Sequence, residues 1–293
     1  MGKTLMLTGA TGFVGSRFAV LNAGKYEFKT IPWQQLSDPV PDLAGVDIIV
    51  HLAALNHRMD KVPDEDYMKS NFELTKLLAE KAKSDGVGHF VFLSTVKVYG
   101  EANIEGKPFT EIDTCNPQDA YGQSKLNAEN ALTSLKSESF KVSIIRSPLV
   151  YGPGVKGNML RLIKLAKSPF PLGFKGIENN RTMVFVDNLV ALIDRIIEQG
   201  QPGVFLAADD QPVSTSDAVI MLREALNKRA NVFQMPGILL SLMGLVAPKL
   251  KTRLFDSLIF DNDDTKKRLN FRNPYTTQEG FRLMLADRPN QSG

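Results

Sequence analysis

Thr4-Leu5-Met6-Leu7-Thr8-Gly9-Ala10-Thr11-Gly12-Phe13-Val14-Gly15 decides how this chain folds. Residues 3–8 form a short apolar run, the run stops at a glycine, and residues 13–23 then carry a helical pattern. The glycines fall at i, i+3 and i+6. Gly9 permits the tight turn out of the strand, Gly12 lets the backbone approach a phosphate, and Gly15 lets helix and strand pack closely. The start of such a helix offers unpaired N–H groups and a positive dipole end. Thr11, Gly12, Phe13 and Val14 therefore frame a site for a dinucleotide pyrophosphate.

Further along, residues 46–52, 89–94 and 141–146 read as buried strands, and residues 67–85 and 119–138 as helices. Apolar strands alternating with helices imply a parallel sheet covered on both faces, the doubly wound Rossmann architecture, with ligands at the carboxyl ends of the strands. After Tyr151, proline and glycine cluster and helices dominate. The expected organisation is a dinucleotide-binding domain over residues 1–150, to which residues 181–200 return as a strand-helix unit. Residues 151–180 and 201–293 are expected to form a smaller, mostly helical substrate-binding lobe.

The chain has 293 residues, 43% hydrophobic and 23% charged, with a net charge of +3 and no basic block, so a nucleic-acid partner is not indicated. A single cysteine, Cys115, excludes an internal disulfide and argues against a thiolate metal site. No metal is expected. The first residues run straight into a strand without a basic and apolar leader, which makes the cytoplasm the expected compartment. Residues 236–249 are apolar but too short and too interrupted to span a bilayer. They read first as a helix packed on the second lobe. The second reading, with Lys249, Lys251 and Arg253 nearby, is contact with an anionic membrane surface.

The second strand, expected at Glu27–Ile31, is followed by Pro32-Trp33-Gln34-Gln35. The acid that usually holds the adenosine ribose is missing there, so the coenzyme is left as NAD or NADP. Arg17, on the first helix, reads first as a solvated helix charge and second as a residue that reaches a ribose phosphate.

Tyr121 and Lys125 stand four residues apart on a predicted helix, which places both side chains on one face. A phenol ordinarily titrates near pH 10, and a neighbouring ammonium favours its phenolate. The pair therefore suits proton transfer at neutral pH. Ser94 and Thr95 end the 89–94 strand, where a hydroxyl can bond a substrate oxygen.

Taken together in this order, Gly9/Gly12/Gly15, residues 47–54, Asn71, Ser94-Thr95 with Val98-Tyr99-Gly100, Tyr121 with Lys125, Arg146 leading to Tyr151-Gly152-Pro153-Gly154, and Arg181 before Val186-Asp187 carry a resemblance. The chain resembles the extended short-chain dehydrogenase/reductases of the NAD-dependent epimerase/dehydratase group. The resemblance implies catalytic roles for Tyr121 as acid/base, Lys125 as its activator, Thr95, and Asn71 as a helix-bending residue that supports a water relay. It implies that Leu52, Ala53, Ala54, Ser94 and Pro148 line the coenzyme with Tyr121 and Lys125. Thr95, Asn158 and Arg181 are implied to contact a nucleotide-sugar substrate, and a homodimer is left open.

Two departures stand out. The segment between Ile31 and Asp47 is too short for the usual outer strand, and Leu149 occupies a position where UDP-galactose 4-epimerases carry an asparagine. The resemblance is nearest to bacterial enzymes of surface polysaccharide synthesis that act at C4 of UDP-sugars. Three functions are expected, in this order: reduction of a 4-keto-6-deoxy-N-acetylhexosamine, 4-epimerisation of a UDP-sugar, and NADP sensing without catalysis. The Tyr121/Lys125 pair argues against the last.

Overall fold

The computed structural model describes residues 2–32, 36, 40–56, 62–103, 106–234 and 257–286. The chain begins with β1 (Thr4–Thr8), α1 (Phe13–Leu21), β2 (Glu27–Ile31) and β3 (Ile48–His51). A long helix follows, built of α2 (Asp64–Tyr67), a π-helical segment at Met68–Glu73 and α3 (Leu74–Ser84). Then come β4 (His89–Thr95), a 3₁₀ turn at Val96–Val98, α4 (Ala120–Leu135), β5 (Lys141–Ser147) and β6 (Leu149–Tyr151). The remaining elements are α5 (Gly157–Ala166), β7 (Met183–Phe185), α6 (Val186–Gln199), β8 (Gly203–Leu206), α7 (Thr215–Ala225), α8 (Asp263–Leu269) and α9 (Thr277–Ala286).

Six strands form one parallel sheet in the order β2-β1-β3-β4-β5-β8. Successive side chains on a strand point to opposite faces, and here both faces are apolar. Met6, Ile49, Phe90, Phe92 and Ile144 enter one core with Leu78, Ala79 and Ala82 of α3 and Ala128 and Leu132 of α4. Leu5, Leu7, Ile48, Val50, Val91 and Ile145 enter the other, against Phe18 of α1 and a row of α6 from Leu189 to Ile197. This double burial explains why the strands read as continuous apolar runs.

The strand order reverses between β1 and β3, which opens a crevice at their carboxyl ends. Thr8 pairs in register with His51, so both strands stop at the same level. β2 and β8 are the edge strands among the described residues, β2 in keeping with the short segment before Asp47.

Two features differ from the expected outline. The strand before α6, β7, leaves the main sheet and pairs with β6, while α6 itself packs on the sheet. The sixth strand of the main sheet is instead β8, a four-residue segment too short to stand out in the sequence. Beside the sheet, Tyr151, Met159, Ile163, Met183, Phe185, Leu222, Phe281 and Met284 form a separate core beneath β6, β7, α5, α7 and α9. Tyr151 OH donates to Asp209 Oδ2 at 2.6 Å, and Asp209 Oδ1 accepts from Phe185 N and Asn188 Nδ2 at 3.0 and 2.7 Å. No helix among the described residues is long and apolar enough to cross a membrane. Residues 33–35 and 235–256, which include Trp33, Gln34, Gln35 and the apolar 236–249 segment, lie outside the described residues.

Candidate active site

The glycine loop sits on the end of β3. Gly9 has φ +72°, and a Cβ there would lie 2.7 Å from Ala53 N. A Cβ at Gly15 would lie 2.1 Å from Gly9 O, so any larger residue forces the helix off its strand. Gly12 N donates to Gly9 O at 2.9 Å, and Gly12 is the N-cap of α1. No side chain caps this helix and its first turn carries no acid, so its amides suit an anion. Thr11 and Gly12 are exposed, whereas Phe13 and Val14 are half-buried against the separate core beside the sheet. These residues fit a dinucleotide: Thr11 to Val14 would hold its pyrophosphate, with Leu52, Ala53 and Ala54 as the facing wall. Arg17 is committed elsewhere, bidentate to Asp187 at 2.6 and 2.7 Å.

A buried polar chain runs from this loop towards α3. Ala53 N donates to Thr8 Oγ1 at 3.2 Å. Thr75 Oγ1 donates to Asn71 O at 2.8 Å, so it accepts from His51 Nε2 at 3.0 Å. The other ring nitrogen, Nδ1, then accepts from Thr8 Oγ1 at 2.8 Å. Burial, with some help from the Lys125 charge, pushes His51 down to about 3, so the ring is neutral at pH 7.

Asn71 lies in the π segment. Its amide accepts from Leu55 N at 2.8 Å and donates to Leu55 O and Ser124 Oγ at 3.0 and 3.1 Å. Ser124 Oγ donates to Tyr121 O at 2.8 Å. Asn71 thus joins the strand-end loop to the turn of α4 that carries Tyr121 and Lys125.

That turn is capped by Asp119, which accepts from Gly122 N at 2.7 Å and is paired with the Lys97 ammonium. The Tyr121 phenol is hydrogen-bonded to the Thr95 side chain, and its ring meets Tyr67 edge-on at 6.0 Å. Thr95 Oγ1 also accepts from Lys97 N at 3.3 Å, capping the 3₁₀ turn. Lys125 is 2% exposed, with Nζ 4.0 Å from the Phe92 ring centroid.

Burial pushes the phenol up to about 12; the Thr95 bond opposes this, and Asp119 and Tyr67 add to it. Burial holds Lys125 down to about 7, against the pull of Glu129. The depressed phenol pKa expected from the Tyr/Lys spacing is therefore not what the protein alone presents, because desolvation outweighs the Thr95 hydrogen bond that lowers it. Tyr121 stands as a neutral acid and Lys125 near its midpoint at pH 7.

Several participants carried no role in the sequence reading. Glu129, one turn past Lys125, accepts from Ser94 Oγ and from Arg146 Nη2 and Nε at 2.7 and 3.1 Å. The Ser94 hydroxyl is thereby directed at Glu129. A buried acid four residues after the lysine was the available signal, as was a histidine inside an apolar strand for His51.

Pro148 is buried just past β5, between Ser147 and the exposed Leu149. Asn158 is exposed on the first turn of α5. Arg181 is half-buried, its backbone paired with Val213 and bridged to Leu258. Cys115 lines a cavity of about 600 Å³ with Tyr99, Gly100 and Asn116, and burial raises its thiol pKa.

The family described as "NAD dependent epimerase/dehydratase family" matches residues 5–208. The chain is 36% identical to a UDP-glucose 4-epimerase of Vibrio cholerae, over 96% of this chain and 94% of that protein. It is 28% identical to an N-acetyl-alpha-D-glucosaminyl-diphospho-ditrans,octacis-undecaprenol 4-epimerase of Escherichia coli O157:H7, over 80% of this chain and 76% of that protein. Its fold matches the crystal structure of UDP-N-acetylglucosamine 4-epimerase from Bacillus cereus with a TM-score of 0.77 at 18% identity, covering 97% and 98% of the two chains.

Proposed function

The chain belongs to the NAD dependent epimerase/dehydratase family of enzymes, and from that premise we propose that it is a 4-epimerase of a UDP-activated sugar. The observation that carries the reading is the hydrogen-bonded Tyr121–Thr95 pair, set one turn from buried Lys125 at the carboxyl ends of β3 and β4. When bound, the family's nicotinamide coenzyme, NAD or NADP, would supply the hydride chemistry at C4. The chain supplies the proton handling. Thr95 holds the C4 oxygen beside the phenol. Tyr121 first gives its own proton to solvent, helped by the Lys125 ammonium, which favours the phenolate; the phenolate then takes the C4 hydroxyl proton and later returns it to the same oxygen. Asn71 fixes the helix turn that carries both groups. Asn158 and Arg181, in the segment that follows β5, hold the nucleotide diphosphate; a guanidinium fork matches phosphate oxygens.

A second reading, reduction of a UDP-4-keto-6-deoxy-N-acetylhexosamine, is favoured by one observation. The phenol is neutral, the form that donates a proton to a new alkoxide. The epimerase reading ranks first because two curated relatives carry that activity, one over nearly the whole chain.

The two are separated by incubating the protein with UDP-glucose or UDP-N-acetylglucosamine and a catalytic amount of NAD, and following the sugar proton resonances. The proposal expects the C4 epimer with no net coenzyme consumption. Stoichiometric oxidation of NAD(P)H by the 4-keto sugar, without interconversion of the C4 epimers, would select the reductase instead.

A further inference from the structure

Tyr121, Lys125 and Glu129 follow one another at four-residue steps on α4, so their side chains rise along a single helix face. The Glu129 carboxylate is 3% exposed and is gripped from two strands. From the end of β4, Ser94 Oγ donates to Oε1. From β5, Arg146 donates to Oε2 through Nη2 and Nε at 2.7 and 3.1 Å. Arg146 is fixed in turn by donating from Nη1 to Tyr99 OH at 2.7 Å, with its guanidinium 4.7 Å from that ring's centroid.

A buried ion pair of this kind is no better for stability than well-packed apolar side chains. What it provides here is a carboxylate fixed one turn from Lys125, its charge shared with the Arg146 guanidinium. We propose that Glu129, locked by Ser94 and Arg146, is a positioning residue that raises the share of Lys125 held as ammonium and so ready to serve Tyr121. The inference rests on the roles proposed above for Tyr121 and Lys125.

The groups facing Lys125 support the assignment. On α4 these are Tyr121 and Glu129. From β3 comes His51, which is neutral, and from β4 the apolar ring of Phe92. Asp119 and Tyr67 act on the phenol, Arg146 pairs with Glu129, and Tyr99 and Cys115 act on Arg146. Burial drives Lys125 towards the free amine, and Glu129 is the charge that opposes it. Without that charge the amine would be mostly unprotonated at pH 7, and Tyr121 would lose the cation that stands one helix turn away.

The test is a titration of the full chain labelled with ¹³C at lysine Cε, the Lys125 resonance being assigned by its loss in Lys125→Met. The wild-type midpoint is expected at about 7. Glu129→Gln should lower it by about one pH unit or more, a tenfold loss of proton affinity. The double variant Glu129→Leu/Arg146→Met strands neither charge, so it keeps the fold, and it should move the midpoint the same way. Arg146→Lys, which keeps the cation, should leave it in place. An unchanged midpoint in either folded Glu129 variant would overturn the proposal. Its failure is distinct from failure of the catalytic reading. Tyr121→Phe that keeps its turnover would sink that reading whatever the midpoints do, and lost turnover with coincident midpoints would sink only the role of Glu129.

Discussion

Asn71 Nδ2 donates to Ser124 Oγ at 3.1 Å, and this bond joins the π segment to the helix turn between Tyr121 and Lys125. The same amide satisfies both the N–H and the C=O of Leu55. Asn71→Ala should therefore cost about 1–3 kcal/mol for each backbone group left dry. It should also lower kcat more than it raises KM, because the reacting pair loses its support while the substrate contacts stay. Urea unfolding and steady-state kinetics check the two halves; a variant with normal kcat and reduced stability would make Asn71 purely structural.

Gly15→Ala is expected to abolish coenzyme binding, because its Cβ would meet Gly9 O at 2.1 Å and displace the phosphate loop. Gly24→Ala is the contrasting case. Nothing lies within 4 Å of its Cβ, though its φ of +81° carries a backbone penalty. It should cost some stability and leave coenzyme affinity unchanged. Calorimetric titration with NADH and NADPH reads both variants. Equal coenzyme affinity in Gly15→Ala and the wild type would contradict the assignment of the loop.

Stability should depend on pH through two buried histidines. His51 is pushed down to about 3 and His89 to about 4, both mainly by burial, from a usual value of 6.5. Below pH 6.5 the unfolded chain takes up protons that the folded protein refuses. The stabilisation is thus complete above about 6.5 and is lost as pH falls towards these depressed values, by up to about 1.4 kcal/mol per histidine per pH unit. Melting temperatures between pH 7.5 and 5 should fall, and His51→Gln should flatten the slope. A profile as steep in His51→Gln as in the wild type would show that His51 is already protonated in the folded state.

Much of this was legible in the sequence because local patterns carry it. The strand-glycine-helix spacing of residues 4–15 marks β1, the loop and α1, and the four-residue step from Tyr121 to Lys125 marks one helix face. β8 escaped because four residues give no periodicity, and the pairing of β7 with β6 escaped because strand partners are a tertiary matter. The chain from Thr8 through His51 to Thr75 and Asn71 spans three elements, so no spacing along the sequence announces it. The direction of the Tyr121 shift was also hidden. The Lys125 charge is visible in the sequence, but the burial that raises the phenol is a property of the folded protein.

The central claim is that the Tyr121 phenol is the proton-transfer group for chemistry at C4, and the Tyr121→Phe variant tests it most directly. The ring, its contact with Tyr67 and the helix turn remain, and only the hydroxyl bonded to Thr95 is lost. The measurement is the rate of C4 turnover of the UDP-sugar, with coenzyme affinity measured on the same sample. The account predicts a loss of about 10²–10⁴-fold in rate with coenzyme binding intact. A variant that keeps its rate within about tenfold of the wild type, roughly 1.4 kcal/mol of barrier, would contradict it.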